Sequence, residues 1–111
     1  RRRLFELACT HGLVALGVRH PSAVCSTWAQ LGEGTVVFAA AVINAGTRIG
    51  KNVIVNTGAL IDHDCIIEDH AHIATGARLS GTVRVGPAAH IGAGATIRQP
   101  SFCSPRRKGT A

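Results

Sequence analysis

The chain has 111 residues, 46% of them hydrophobic and 16% charged, which fits one domain and is too apolar for a disordered segment. The net charge of +6 sits wholly in two ends, Arg1, Arg2 and Arg3 and then Arg106, Arg107 and Lys108, while the body from Leu4 to Pro105 is neutral. Neither basic cluster contains an aromatic residue to stack a base, so nucleic acid is not an expected partner. The longest apolar run, Val36 to Ile43, falls far short of the roughly 20 residues that cross a bilayer, so no membrane span is expected. There is no Met, even at the start, and we read the chain as a piece of something longer or a processed product.

Arg1 to Thr10 fits a short helix, with Leu4, Phe5, Leu7 and Ala8 on one face and Gly12 as a stop. Its Arg2-Arg3-Leu4-Phe5 start has the twin arginine of an export signal, but Glu6 and His11 interrupt the apolar stretch that must follow. Leu13 to Val18 reads as one strand and His20-Pro21 as a bend. Cys9, Cys25, Cys65 and Cys103 form no C-x-x-C pair, and reduced thiols in a cytoplasmic protein are the simpler reading.

From Leu31 a six-residue period takes over. The positions reached are Leu31, Val37, Ile43, Ile49, Val55, Ile61, Ile67, Ile73, Leu79, Val85, Ile91 and Ile97, every one a branched aliphatic. Four residues after each comes a position that is nearly always small, from Thr35 and Ala41 to Ala95 and Ser101. The residue before it is often Gly, Asn or Asp, as at Gly34, Gly46, Asn52, Gly58, Asp64, Gly76 and Gly94, types that tolerate positive φ and so mark a turn. Neither a 3.6-residue helix nor an alternating strand produces this register. A hexapeptide solenoid does: three repeats close a triangular coil of 18 residues, with the branched residue inside and the small one at a corner.

The expected fold is therefore all-β, a parallel β-helix of about four coils, Leu31 to Arg48, Ile49 to Ile66, Ile67 to Arg84 and Val85 to Phe102, preceded by a short helix and strand. Cys25 to Gln30 is a degenerate repeat whose Trp28 is expected to cover the open end of the prism. The organisation expected is 1–24 as helix plus strand, 25–99 as solenoid and 100–111 as an irregular basic tail. Exposed coil ends and flat faces call for packing against further subunits.

Four histidines fall in the coils. His63, at the third position of its repeat, should point outward; Asp62 and Asp64 flank it, and a carboxylate can hold an imidazole in one tautomer. The column above and below it is Ala45, Gly81 and Gln99, where small residues are expected to leave room for a substrate beside the ring. His72 and His90 are 18 apart and should stack in adjacent coils; His70 takes a turn position. Cys65 falls at an inward position and is not a nucleophile candidate.

The stretches Val42-Ile43-Asn44-Ala45-Gly46-Thr47, Ile54-Val55-Asn56-Thr57-Gly58-Ala59-Leu60-Ile61-Asp62-His63-Asp64-Cys65 and His70-Ala71-His72-Ile73-Ala74-Thr75-Gly76-Ala77 resemble the bacterial sugar acetyltransferases of the sialic acid O-acetyltransferase and bacillosamine or perosamine N-acetyltransferase group. The resemblance covers roughly 13 to 99. It implies a left-handed helix and a trimer whose active sites lie between subunits. It implies acetyl-CoA as co-substrate, no metal, and a sugar or nucleotide-sugar acceptor. His63 falls on the family's general base and Asp64 on the acidic residue that raises its basicity. His72 falls on a histidine that contacts acetyl-CoA, and Gly92 and Ala93 lie near a main-chain contact to it. Residues 1–24 then correspond to the last part of an α/β domain that binds the nucleotide sugar. The chemistry suits such residues, since a thioester is already activated and the acceptor needs only deprotonation and alignment. Two other readings stand beside this one: a truncated, non-catalytic solenoid, and a zinc hydratase of the carbonic-anhydrase type, whose His spacing the chain does not resemble.

Overall fold

The computed structural model describes residues 1–98 and 102–103. Gln99, Pro100, Ser101 and 104–111, including most of the expected tail, lie outside the described residues. Within them, two-residue strands alternate with turns and stack into three five-stranded parallel sheets, the faces of a triangular prism. The first face carries Val18–Arg19, Val36–Val37, Ile54–Val55, His72–Ile73 and His90–Ile91; the second Val24–Cys25, Val42–Ile43, Leu60–Ile61, Arg78–Leu79 and Thr96–Ile97; the third Gln30–Leu31, Arg48–Ile49, Ile66–Ile67, Arg84–Val85 and Phe102–Cys103. Register is uniform: each residue faces the one 18 positions on, as in Val36 with Ile54 and Ile54 with His72. This is the left-handed parallel β-helix, of about five turns rather than four.

The extra turn has a physical reason at each end. Val18–Arg19 pairs with Val36–Val37 although no aliphatic seeds the period there, because ladder bonds such as Val18 N–H to Thr35 O at 3.1 Å need no side chain. Leu13 to Gly17, expected in that strand, carry no strand structure. At the far end Cys103 is fully buried and pairs with Val85, so a thiol fills the column that branched aliphatics fill elsewhere. The strand Phe102–Cys103 therefore continues the solenoid inside the stretch read as irregular.

The column from Val37 to Ile97 is buried throughout, and only Leu31, at the open end, is half-exposed. Each fully buried Val, Leu or Ile contributes about 1.5–3 kcal/mol. Every sixth residue from Gly34 to Gly94 has positive φ, including Asp64 at 56°, His70 at 66° and Thr82 at 63°. That left-handed residue swings the chain from one face to the next, and its N–H bonds down to the preceding coil, as Thr82 does to His63 O at 2.9 Å. Strand N–H groups bond up to the following coil, so two opposed ladders lock each turn. Inside the corners Thr35 shows a recurring device: its buried hydroxyl donates to Gly50 O at 2.8 Å and accepts from Val53 N–H at 3.1 Å, spanning the turn of the next coil.

Helix α1, Arg2–Thr10, ends at Gly12 with φ 76° and lies along the edge between the third and first faces. Phe5 covers Gly34 and meets the His70 ring edge-on, with centroids 5.5 Å apart. Of the expected apolar face Phe5 and Ala8 are half-buried, whereas Leu4 and Leu7 are exposed. Trp28 does not cover the prism end: it is 79% exposed at a turn on the edge between the second and third faces, because its register position is a corner, not the interior.

Candidate active site

His63 and Asp64 form the turn between strands Leu60–Ile61 and Ile66–Ile67, on the edge where the second face meets the third. The positive φ of Asp64 turns both side chains outward, and they remain 55% and 63% exposed. His63 Nδ1 lies 3.1 Å from Asp64 Oδ2. A carboxylate acceptor fixes the proton of a neutral imidazole on Nδ1 and leaves the Nε2 lone pair free. The ring lies against Gly81 in the coil above, and a Cβ on Gly81 would overlap it at Nε2. Gly81 is therefore buried by the imidazole, whereas Ala45, the same position one coil below His63, is exposed. The small residue expected to leave space for a substrate instead makes space for the base.

The other flanking carboxylate has a different task. Asp62 Oδ1 accepts the His63 main-chain N–H at 2.8 Å and the Asn44 amide at 3.0 Å. The Asn44 amide, then the His63 N–H, hold its carboxyl below the ordinary carboxylate value, and the nearby His63 ring adds to this. Asn44 has no predicted role, yet its offset of 18 from Asp62 is legible in the repeat. Beneath the turn Cys65 is fully buried; its thiol donates to Ser80 O at 3.1 Å, and burial pushes it above the ordinary thiol value. It is no nucleophile.

The other predicted residues lie elsewhere. His72 faces outward from the first face, in register with His90, and the two rings stack with centroids 4.6 Å apart at 24°. Asn56 Nδ2 stands 3.3 Å from His72 Nε2, a contact that the sequence motif contains without assigning it a role. Burial lowers the His72 value, and the charges of His90 and Arg1 lower it further. Gly92 and Ala93 follow His90–Ile91 at the edge between the first and second faces, in the coil next to His72. Gly92 is half-buried and its carbonyl accepts Ala95 N–H at 3.1 Å, whereas Ala93 and Gly94 are exposed and no atom stands within 4 Å of a Cβ built on Gly94. So the structure groups His72, Gly92 and Ala93, and separates them from His63 and Asp64. In a three-sided prism the edge that carries His63 is opposite the face that carries His72. His70 takes its turn with positive φ and meets Asn52 Nδ2 at 2.8 Å. All four cysteines are free, and the described residues contain no group of three or more His, Cys, Asp or Glu able to hold a metal ion. No helix among the described residues is long and apolar enough to cross a membrane.

No protein-family model matches the chain, and no curated protein sequence does. Solved structures do. The acetyltransferase domain of PglB from Neisseria gonorrhoeae is 42% identical with a TM-score of 0.91, over 94% of this chain and 51% of that one. The same domain in complex with acetyl coenzyme A aligns with a TM-score of 0.90 at 42% identity, over 93% and 50%. The perosamine N-acetyltransferase of Caulobacter crescentus, solved as its H141N mutant with CoA and GDP-perosamine, is 32% identical with a TM-score of 0.75, over 91% and 57%. In sequence and fold the chain is similar to these hexapeptide-repeat acetyltransferases. It spans between half and three-fifths of their length.

Proposed function

We propose that this chain is the acetyl-transferring part of an acetyl-CoA-dependent sugar acetyltransferase, with His63 as general base. The observation that carries the reading is the exposed His63–Asp64 pair, whose free Nε2 is kept open by Gly81. The 42% identity to a domain solved with acetyl coenzyme A supports the co-substrate. The acceptor is a nucleotide-linked sugar, by likeness to the enzyme solved with GDP-perosamine. In the reaction the acceptor nitrogen or oxygen attacks the thioester carbonyl, and Nε2 takes the proton that the acceptor loses. The C–S bond then breaks, and the imidazolium returns its proton to the departing CoA sulfur. Asp64 holds the ring and balances the charge it gains. A base so placed contributes about 10²–10⁴-fold.

His72, with Gly92 and Ala93, is the acetyl-CoA contact in this proposal. A half-buried ring in the coil next to an exposed turn at Ala93 and Gly94 suits a ligand that is part apolar and part amide. Since His63 and His72 occupy opposite sides of one prism, a site containing both needs two copies, which supports a cyclic homotrimer with sites between neighbours. We place the protein in the cytoplasm, the location that its four free cysteines favour. The test is release of the CoA thiol from acetyl-CoA with GDP-perosamine as acceptor. Release that depends on the acceptor and is lost in His63→Ala supports the proposal. No binding of millimolar acetyl-CoA by calorimetry overturns it in favour of a non-catalytic solenoid, the second reading that the chain's partial span of its relatives keeps in play.

A further inference from the structure

We propose that Asp62, fixed from the coil below by Asn44, is a positioning residue that sets where His63 stands for proton transfer. The inference rests on the reading of His63 as base.

Besides the ladder bond from Asp64 N–H to Ala45 O, two side chains of the lower coil hold the turn that carries His63. From inside the corner, the buried Thr47 hydroxyl donates to Asp62 O at 2.7 Å and accepts from Cys65 N–H at 3.2 Å. This is the device already seen at Thr35 two corners earlier, where no exposed His–carboxylate pair is supported. Thr47 therefore builds a corner as such. From outside, Asn44 Nδ2 donates to Asp62 Oδ1, and the same oxygen accepts His63 N–H. That second clamp ties the base itself to its neighbour, and through the neighbour to another coil.

The geometry explains why one carboxylate does not serve both purposes. Asp64 engages the ring at Nδ1 and fixes the tautomer. It makes no bond to the main chain of His63. The coil above holds that main chain at its carbonyl, through Thr82 N–H at 2.9 Å, and Asp62 holds it at the N–H. With the backbone held at Asp62 and the ring resting on Gly81, Nε2 has one place to be. Positioning of this kind carries large rate factors, because small displacements of a base from its near-attack geometry are costly. Asp62 suits the task because the amide and the N–H favour its ionised form, in which the oxygen accepts both bonds.

The experiment compares His63→Ala, Asp62→Ala, Asp62→Asn, Asn44→Ala and Thr47→Val in the acetyl-CoA and GDP-perosamine assay. Each variant is also melted, and the amide proton of His63 is followed by NMR. The expected result is a fall in kcat of about 10- to 100-fold for Asp62→Ala and a smaller fall for Asn44→Ala. KM for acetyl-CoA and the melting temperature stay near wild type in both. Asp62→Asn, which keeps an acceptor oxygen, recovers most of the rate. The His63 amide proton moves upfield and exchanges faster in Asp62→Ala. Thr47→Val lowers the melting temperature instead. If His63→Ala is inactive while Asp62→Ala and Asn44→Ala keep wild-type kcat, this inference fails and the base assignment survives. Retained turnover in His63→Ala removes the assignment beneath it. A melting temperature that falls in parallel with kcat in Asp62→Ala makes Asp62 merely structural and also overturns the inference.

Discussion

His63 and His72 are nine residues apart in the chain, yet the solenoid gives them opposite surroundings. His63 falls on the third position of its repeat, at a corner, where the side chain points out from the prism edge. Its ring is exposed and engages a carboxylate. His72 falls on the last position, on a flat face with rows of side chains 18 residues apart on either side. It is half-buried, stacks on His90 and meets the Asn56 amide. A six-residue register thus does what a dedicated pocket does elsewhere: it assigns one imidazole an open, anion-supported place suited to proton transfer and the other a drier place suited to a neutral contact.

The severest way to break this comparison is to remove the frame both rings share. Ile61 is fully buried directly before Asp62 and His63, and its coil pairs with the one that carries His72, which in turn pairs with the one that carries His90. Ile61→Asp puts an unpaired charge inside the prism, a cost that a small domain does not survive. Circular dichroism should show loss of the cooperative melt, and acetyl-CoA binding should vanish with it. A folded Ile61→Asp chain would mean that the interior column is not what holds the coils. His63→Ala is the next largest effect and separates the two sites. Turnover should fall about 10²–10⁴-fold with the melting temperature nearly unchanged. His72→Ala should act mainly on KM for acetyl-CoA. Equal effects of the two variants on kcat would erase the distinction between base and contact.

The repeat was legible because its causes are local: an aliphatic every sixth residue, and Gly, Asn or Asp where φ must be positive. The turns at Ala40, Thr82 and Ala88 carry no such mark, yet have φ of 60°, 63° and 59°. Ladders above and below impose the conformation there, and Thr82 adopts it despite its β-branch. The fifth turn was missed because Cys103 is not a branched aliphatic and Val18–Arg19 has none in register. At the candidate site the His63–Asp64 pair and the His72–His90 stack follow from spacing alone. Gly81 was identified by position but not by task, because which side of a glycine a ring takes depends on its rotamer, not on the period. The separation of Asp62 and Asp64 into a main-chain holder and a ring holder depends on side-chain torsions as well.

Gly81→Ala sharpens the comparison with less violence. Gly81 is not among the residues with positive φ, and Ala already occupies the equivalent position at Ala45. The backbone therefore accepts the substitution, and the cost falls on the ring that the new methyl overlaps. We expect kcat to fall about tenfold or more with little change in melting temperature, and no change in KM for acetyl-CoA, since His72 is on the other side. A large drop in melting temperature would show that Gly81 serves the fold rather than His63.

The smallest effect is the pH response of His72. Its folded value lies below the ordinary histidine value of 6.5, by burial first and then by the charges of His90 and Arg1. An unfolded chain takes up the proton near 6.5, whereas the folded chain resists it until lower pH. Between the two values the unfolded state holds more protons, so stability rises with pH across that window and is lost as pH falls from 6.5 toward the folded value. Above 6.5 both states leave His72 neutral and the slope disappears. Melting temperatures taken from about pH 7.5 down to about pH 5.5 should therefore decline more steeply in the wild type than in His72→Gln, which cannot take the proton. His90→Gln should flatten the decline only in part, because it removes the neighbouring charge and leaves the burial. A slope identical in all three proteins would mean that the stacked pair is open to water on both faces, and the contrast with the exposed ring at the far edge would then have no thermodynamic content.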